Sequence, residues 1–266
     1  MDDFKTFLER QNLAPNTISA YLTAIAGYLS LYSTFDKKTL LAWKTYLIEN
    51  FKPKTVNLKI QAMNKYLDFT KKSKDRLKSI KVQERSFLEN VISDADYVFF
   101  KTRLKKEGNL EWYFIVRFLC ATGARVSELI KIKVEHVNAG YIDLYTKGGK
   151  MRRIHIPIKL KNEATNWLNE IGQESGYLFL NRFGKRITAR GISQMLKRYA
   201  IKYGLDPKVV YPHSFRHRFA KNFLDKYNDI SLLADLMGHE SIETTRIYLR
   251  KTSSEQQAIV DKVVTW

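Results

Sequence analysis

The spacing of apolar residues changes partway along the chain, and this change constrains the fold more than any other sequence feature. Over roughly the first 75 residues they recur at helical spacing, as at Val56, Ile60 and Met63. Between residues 141 and 158 they tend to alternate with polar residues, which is typical of β-strands. Helical spacing then resumes. The pattern predicts a mainly α protein with one small antiparallel hairpin.

Local signals place several helices. Pro15 predicts the start of one helix, and Ser93 predicts the N-terminus of another. The strongly apolar stretch 111–121 predicts a buried helix, and residues 242–249 predict a short helix that Ser241 caps.

The hairpin is predicted from its turn as much as from its strands. Residues 141–146 have strand composition, and the Lys-Gly-Gly-Lys sequence 147–150 is typical of a turn. Ile154, Ile156 and Ile158 alternate with polar residues, so we expect them on the returning strand.

Charge density separates the chain into two domains. The segment from Lys71 to Arg85 is rich in charge and weakly periodic, which favours a linker. We therefore expect an N-terminal helical bundle over residues 1–78, a linker over 79–91 and a larger domain over 92–266.

The chain carries a large positive charge: 46 Lys and Arg residues oppose 27 Asp and Glu residues, a net charge of +19. Residues 37–81 alone hold thirteen basic and three acidic residues. Such an excess favours a polyanionic partner, because phosphate neutralisation releases counterions. A membrane surface is the alternative, but neither a long apolar helix nor a lipidation motif supports it.

Cysteine usage and the N-terminal sequence bear on the compartment. The single Cys120 rules out an internal disulfide framework and fits a reducing compartment. The first residues are acidic and polar, unlike a secretory signal. A cytoplasmic protein is the expectation.

Two candidate phosphate-binding groups lie near glycines. Arg125 follows Gly123, and Glu128 lies three residues further on, where a carboxylate can orient the planar guanidinium. The alternative is an ordinary surface ion pair. Lys147 precedes two glycines of the hairpin turn, where it could reach a phosphate, or it could simply be solvated together with Lys150.

The sequence His213-Ser-Phe-Arg216 places an imidazole and a guanidinium three residues apart after Pro212. This pair suits proton transfer beside a bound phosphate oxygen. A metal site formed by His213 and His217 is the alternative, but the arginine between them disfavours a cation.

The last candidate segment holds His239, which follows a glycine, and Tyr248, nine residues later. Tyr248 could be a nucleophile, although a tyrosine packed on a core is a serious alternative in a chain with fifteen tyrosines. Neither a Ser-His-Asp pattern nor a carboxylate cluster suited to two metal ions competes with it.

Taken together, the order of these motifs resembles the tyrosine recombinase (phage integrase) family, particularly its compact Xer-like members. The resemblance is most specific from Arg125 onward. It implies that the N-terminal bundle is a SAM-like core-binding domain and that the larger domain is catalytic. Family members carry the lysine directly before the glycine pair, so the resemblance selects Lys147 over Lys150.

The resemblance implies a site-specific recombinase that cuts and rejoins double-stranded DNA through a 3′-phosphotyrosyl intermediate and a Holliday junction. Tyr248 would be the nucleophile, Arg125 and Arg216 the phosphate clamp, and Lys147 the acid that protonates the leaving oxygen. His213 would assist proton movement and His239 would donate a hydrogen bond to the phosphate. Glu128 would support Arg125, and no metal or other cofactor is expected.

Recombination joins two sites, so the resemblance also implies a homotetramer on synapsed DNA, with a partner recombinase or accessory protein left open. The C-terminal tail, residues 251–266, has apolar residues at helical spacing and could dock on its own domain or on a neighbouring subunit. Two alternative functions remain at this stage: a type IB topoisomerase-like enzyme, and a catalytically silent DNA-binding regulator.

Overall fold

The computed structural model describes residues 1–82, 90–145, 151–239, 241–249 and 253–264. The chain divides into two compact units, Met1–Glu84 and Arg85–Trp266. Both are built mainly from α-helices, and a two-stranded antiparallel sheet lies in the second. This is the predicted fold class.

The first unit is a bundle of helices followed by a short 3-10 turn. Its elements are α1 (Asp2–Arg10), α2 (Pro15–Leu29), α3 (Lys37–Asn50), α4 (Pro53–Phe69) and the turn Ser73–Asp75. Proline occupies the first position of α2 and of α4, where its missing N–H costs no hydrogen bond. Asp36 caps α3, because its carboxylate accepts a hydrogen bond from the Thr39 amide at 3.0 Å.

The charge-rich segment after α4 packs against the bundle over part of its length, although its composition is typical of a linker. Asn64 pairs with both backbone groups of Leu77, and Asn57 does the same with Ile80, all at 2.8–2.9 Å. The chain is therefore held against α4 as far as Ile80. Residues 83–89, in the predicted linker, lie outside the described residues, and the boundaries at 78 and 91 stay a prediction.

The second unit surrounds the buried helix α6. Its helices and strands, in chain order, are α5 (Asp94–Lys106), α6 (Leu110–Thr122), α7 (Val126–Leu129), α8 (Val134–Ala139), β1 (Tyr141–Tyr145), β2 (Met151–His155), α9 (Ile158–Glu170), α10 (Ala189–Lys202), α11 (Pro212–Lys226), α12 (Ile230–Met237), α13 (Ile242–Arg246), a 3-10 turn (Ile247–Leu249) and α14 (Ser253–Val263). Helix α6 packs against α5, α9 and α11. Its apolar residues Ile115, Phe118 and Leu119 are fully buried.

The two strands of the predicted hairpin pair antiparallel, with Ile142 opposite Ile154 and both buried. Because side chains alternate along a strand, Arg152 shares the buried face with Ile154, whereas Arg153 faces outward. The prediction for Ile158 was wrong. Pro157 ends the strand run and precedes α9, and Ile158 lies exposed in its first turn.

Two other predictions concern helix ends. Ser93 caps α5 by accepting a hydrogen bond from the Asp96 amide at 3.0 Å, as predicted. The helix predicted over 242–249 is shorter: α13 ends at Arg246, and Tyr248 lies on a 3-10 turn instead of two turns into a helix. No helix in the described part of the chain is long and apolar enough to cross a membrane.

Candidate active site

A glycine turn at the end of α6 positions Arg125. Gly123 has φ +61°, and a Cβ there would collide with the Phe219 ring, so both the backbone conformation and the packing favour glycine. Arg125 follows as the N-cap residue of α7. Glu128 accepts hydrogen bonds from the Arg125 amide at 2.7 Å and from its Nη1 at 2.9 Å. Arg125 and Glu128 thus form the predicted ion pair, and the Arg125 side chain is still 38% exposed.

Arg216 comes from α11 and is almost completely buried, with 1% of its surface exposed. Its guanidinium donates to the Gly123 carbonyl through Nη1 and to the Met237 carbonyl through Nη2 at 2.7 Å. Nη1 also lies 4.0 Å from Glu128 Oε2. Arg216 therefore links the ends of α6 and α12 to the Arg125–Glu128 ion pair.

Arg152 is a buried cation that the sequence analysis did not select. Its Nη1 lies 2.7 Å from both carboxylate oxygens of Glu128, and its Nε and Nη2 donate to the Leu236 carbonyl at 3.0 and 2.7 Å. A visible signal existed, since Arg152 lies two residues before Ile154 and so falls on the apolar face of the strand. A charge in that position calls for a buried partner.

The end of α12 is where these arginines meet. The carbonyls of Leu236 and Met237 accept from Arg152 and Arg216, and that of Gly238 accepts from Arg125 Nη2 at 3.3 Å. Helix C-termini leave such carbonyls unpaired and carry partial negative charge, so cations stabilise them. Gly238 has φ +60°, and a Cβ there would clash with Arg152.

The charges of this cluster do not cancel. Three guanidiniums surround the single carboxylate of Glu128, which leaves an excess of two positive charges. Burial raises the pKa of Glu128, but Arg152 and Arg125 outweigh it and hold the pKa below its ordinary value, so Glu128 is ionised. Burial, reinforced by Arg125 and Arg152, lowers the pKa of Arg216 to about 10. The cluster is therefore suited to an anion, which can approach the exposed Arg125.

His239 bridges the cluster to α13. Its Nδ1 lies 2.7 Å from Thr245 Oγ1 and its Nε2 lies 3.1 Å from Arg216 Nη2. Arginine can only donate, so Nε2 accepts this hydrogen bond and Nδ1 carries the proton. Burial, followed by Arg216, lowers the pKa of His239 to about 4, which keeps the imidazole neutral.

His213 and His217 lie on one face of α11, with ring centroids 4.4 Å apart. Burial and then Arg216 lower the pKa of His213, and burial followed by His213 lowers that of His217 to about 4. The Nδ1 atom of His217 is buried without a hydrogen-bond partner. His217 and Thr245 also contact the predicted site residues. His217 was considered only for the disfavoured metal site, and no sequence signal pointed to Thr245.

Tyr248 packs among these histidines. Its ring centroid lies 5.2 Å from that of His217 and 6.1 Å from that of His239, and only 4% of the residue is exposed. Burial raises the pKa of the phenol, and Arg216 opposes this effect. The structure thus brings Tyr248 to the arginine cluster in its neutral form.

The structure brings together Arg125, Glu128, His213, Arg216, His239 and Tyr248. Lys147 and Lys150 lie outside the described residues. Among the residues that the structure describes, no group of three His, Cys, Asp or Glu side chains could hold a metal ion.

Residues 105–255 match the phage integrase family. The tyrosine recombinase XerA of Pyrococcus furiosus is 30% identical over 274 aligned residues, which cover 98% of this chain and 93% of the relative. The tyrosine recombinase XerD of Oceanobacillus iheyensis is 26% identical, covering 96% of this chain and 94% of the relative.

Solved structures with the same fold include two that contain DNA. The XerH site-specific recombinase bound to palindromic difH substrate, a post-cleavage complex, has a TM-score of 0.71 at 19% identity, covering 96% of this chain and 81% of that one. A lambda integrase dimer bound to a COC′ core site also has a TM-score of 0.71, at 15% identity and 93% coverage of both chains.

Proposed function

Since the chain belongs to the phage integrase family, we propose that it is a site-specific DNA recombinase that uses Tyr248 to cut and rejoin DNA strands. The observation that carries this proposal is the excess of two positive charges beside a buried phenol. A phosphodiester placed on Arg125 would compensate one of these charges and bring its phosphorus towards Tyr248, and the second charge would stabilise the additional negative charge of the transition state. Close relatives in sequence and solved neighbours are named recombinases and integrases, which supports the same activity.

The proposed reaction is a transesterification. Tyr248 Oη attacks the scissile phosphorus in line, forms the P–O bond of a 3′-phosphotyrosyl link, and the bond to the 5′ oxygen breaks. The phenol loses one proton and the leaving 5′ oxygen gains one, so the step is balanced without a redox partner. Because the phosphotyrosyl bond replaces the phosphodiester bond, rejoining through a Holliday junction needs no ATP.

Arg125 and Arg216 are the proposed clamp on the non-bridging oxygens. Their charge would stabilise the extra negative charge of the transition state. Arg216 has less freedom to move, because it already bonds two backbone carbonyls, so Arg125 is the group that can adjust to the DNA. Lys147 is the proposed acid for the leaving oxygen, on the strength of the family resemblance alone.

The neutral histidines suit proton transfer. We assign His213 to the movement of the Tyr248 proton, since its lowered pKa leaves the imidazole free to accept. His239 Nε2 accepts from Arg216 in the free protein, so donation to a phosphate requires that this contact opens and the ring changes tautomer. Glu128 supports the clamp through Arg125 and carries no substrate role.

The partner in this proposal is double-stranded DNA with a specific recombination site. The lysine-rich first unit would be the core-binding domain (residues 1–78), joined through the linker 79–91 to the catalytic domain (92–266). Two synapsed sites require four protomers, and helix α14 exposes Ile259, Val260 and Val263 for docking in cis or in trans. A cytoplasmic location is part of the proposal, and a partner recombinase or accessory protein stays open.

Recombination is favoured over the topoisomerase-like enzyme and the silent regulator, because the relatives and neighbours named above are recombinases and integrases. The test begins with a duplex site selected by binding from a random pool. Two labelled duplexes that carry this site should exchange strands, and products of new length should appear. Relaxation of a supercoiled plasmid without exchange would support the topoisomerase, and binding without cleavage would support the regulator.

A further inference from the structure

Arg152 is placed so that it does not touch DNA. Each of its three guanidinium nitrogens already has a protein acceptor within 3.0 Å, either Glu128 or the Leu236 carbonyl. Its side chain is 4% exposed. Arg125 contrasts with it, since Arg125 is 38% exposed and its Nη2 has only a long contact of 3.3 Å to Gly238. A phosphate can reach the exposed Arg125, and the buried Arg216 still has an Nε atom without a hydrogen-bond partner, whereas every guanidinium nitrogen of Arg152 already has one.

The contacts of Arg152 connect three elements that carry site residues. It extends from β2, the strand that follows the Lys147 segment, and binds the carboxylate that orients Arg125 from α7. It also binds the end of α12, two residues before Gly238 and three before His239. We propose that Arg152 is a positioning residue of the recombinase, which fixes Glu128 so that Arg125 meets the scissile phosphate in a single orientation.

Glu128 cannot hold Arg125 equally well without Arg152. Its Oε1 is shared between Arg125 Nη1 and Arg152 Nη1, and its Oε2 between the Arg125 amide and Arg152 Nη1. Loss of Arg152 leaves a largely buried carboxylate free to rotate or to bind Arg216, which lies 4.0 Å away. Only the planar fork of arginine spans Glu128 and the Leu236 carbonyl at once, and the single ammonium of lysine does not reproduce this geometry.

This inference rests on the proposed function, because positioning is measured through cleavage. We would compare Arg152→Met and Arg152→Lys with the matched control Arg153→Met. Arg153 is the neighbouring cation, points to the opposite face of β2, and pairs with Asp143 at 2.8 Å. The readout is the single-turnover rate of covalent adduct formation on nicked duplex, at saturating protein and well below the unfolding temperature.

Both Arg152 variants should slow adduct formation by on the order of 100-fold, the effect of misplacing a reacting group by about 1 Å. Arg153→Met should react at roughly the wild-type rate. DNA affinity should keep its wild-type salt dependence in Arg152→Met, whereas loss of a phosphate contact lowers the salt slope by about one.

A double-mutant cycle separates positioning from general destabilisation. If Arg152 acts through Glu128, the Arg152→Met/Glu128→Gln double variant should be no slower than the slower single variant. The proposal would be overturned if the rate reductions of the two single variants multiplied in the double variant. A wild-type rate of adduct formation in Arg152→Met, or a reduced salt slope in that variant, would overturn it too.

Hydrogen exchange of the Arg125 amide gives a readout that does not need activity. This amide donates to Glu128, so it should exchange faster in Arg152→Lys than in Arg153→Met. Equal exchange in the two variants would contradict the proposal. Absence of an adduct from the wild type would instead contradict the proposed function, and the exchange comparison would still decide the contacts of Arg152.

Discussion

The two units bury different kinds of side chain. In the described residues of the first unit, the fully buried side chains are apolar or aromatic, with Tyr28, Leu40 and Trp43 among them. The described part of the second unit also buries polar and charged side chains, including Arg152, Arg216 and His217. Both units enclose an apolar core, so the charges are an addition to the second unit and not a substitute for its core.

This difference indicates that the apolar cores provide stability, whereas the buried charges of the second unit serve its chemistry. Burying an ion costs free energy unless partners satisfy it, and an apolar group of the same size is often at least as stable. A chain that retains three arginines around one carboxylate is therefore holding charge for a purpose other than folding. The first unit shows how the same chain builds a helical core when no such purpose operates.

Replacement of Arg216 should produce the largest effect, because this residue both stabilises the fold and takes part in the proposed cleavage. Arg216→Met should reduce adduct formation by at least roughly 1,000-fold, and should lower the free energy of unfolding by about 1–3 kcal/mol for each carbonyl left without a partner. Urea unfolding and single-turnover cleavage measure the two losses. A variant that is both stable and active would break the comparison.

Replacement of Arg125 should impair cleavage while leaving the stability of the fold nearly unchanged. Its side chain is partly exposed, so Arg125→Ala should unfold at nearly the wild-type urea concentration while adduct formation falls by roughly 100- to 1,000-fold. DNA binding should be mostly retained, as a gel-shift titration can measure. If Arg125→Ala cleaved normally, its assignment to the clamp would be wrong.

In the first unit we expect the reverse: a core substitution should lower stability without slowing the chemical step. Leu40 is fully buried there, so Leu40→Ala should lower the stability of that unit by about 2–5 kcal/mol. Under conditions where the variant stays folded, the rate of adduct formation from bound protein should be unchanged. The exposed Leu41→Ala serves as the control and should be nearly neutral in both measurements. A slowed chemical step in Leu40→Ala alone would show that the two roles are not separated.

The last predicted effect is a dependence of stability on pH. The pKa values of His217 and His239 are about 4 in the folded protein, below the ordinary value of 6.5, so the unfolded chain binds more protons between these values. Stability should therefore be complete above about pH 6.5 and should fall as the pH drops towards 4. Glu128, whose pKa is lowered from 4.5, adds to the loss only at the acidic end of this range.

Urea unfolding at pH 7, 6 and 5 checks this prediction, because the window lies above the titration of Glu128. His239→Gln should flatten the dependence. Stability that is constant or rises towards pH 5 would contradict the buried neutral state of these imidazoles.

The sequence predicted the helices and the hairpin because their signals are local. The Ser93 and Ser241 caps, the proline at the start of α2 and the alternation of β2 each act within a few residues. Ile158 was misplaced because one further apolar residue continued the alternation, whereas Pro157 ended the strand.

Site residues were predictable in a different way. Arg125, Arg216 and Tyr248 were selected by motif order and family resemblance, and their contacts come from turns that sequence spacing does not encode. The Gly123 turn and the end of α12 bring together groups that lie far apart in the chain. The alternation of β2 marks Arg152 as buried, but its partners Glu128 and the Leu236 carbonyl lie far from it in the chain, and no local pattern identifies them.

Tyr248 should become covalently attached to DNA, and one measurement tests this directly. A nicked duplex carrying the selected site traps the adduct, because the short fragment released on cleavage diffuses away and prevents rejoining. Mass spectrometry of the digested adduct should find the nucleotide on the peptide that contains Tyr248, and Tyr248→Phe should form no adduct. An adduct on another tyrosine, or one that persists in Tyr248→Phe, would contradict the account.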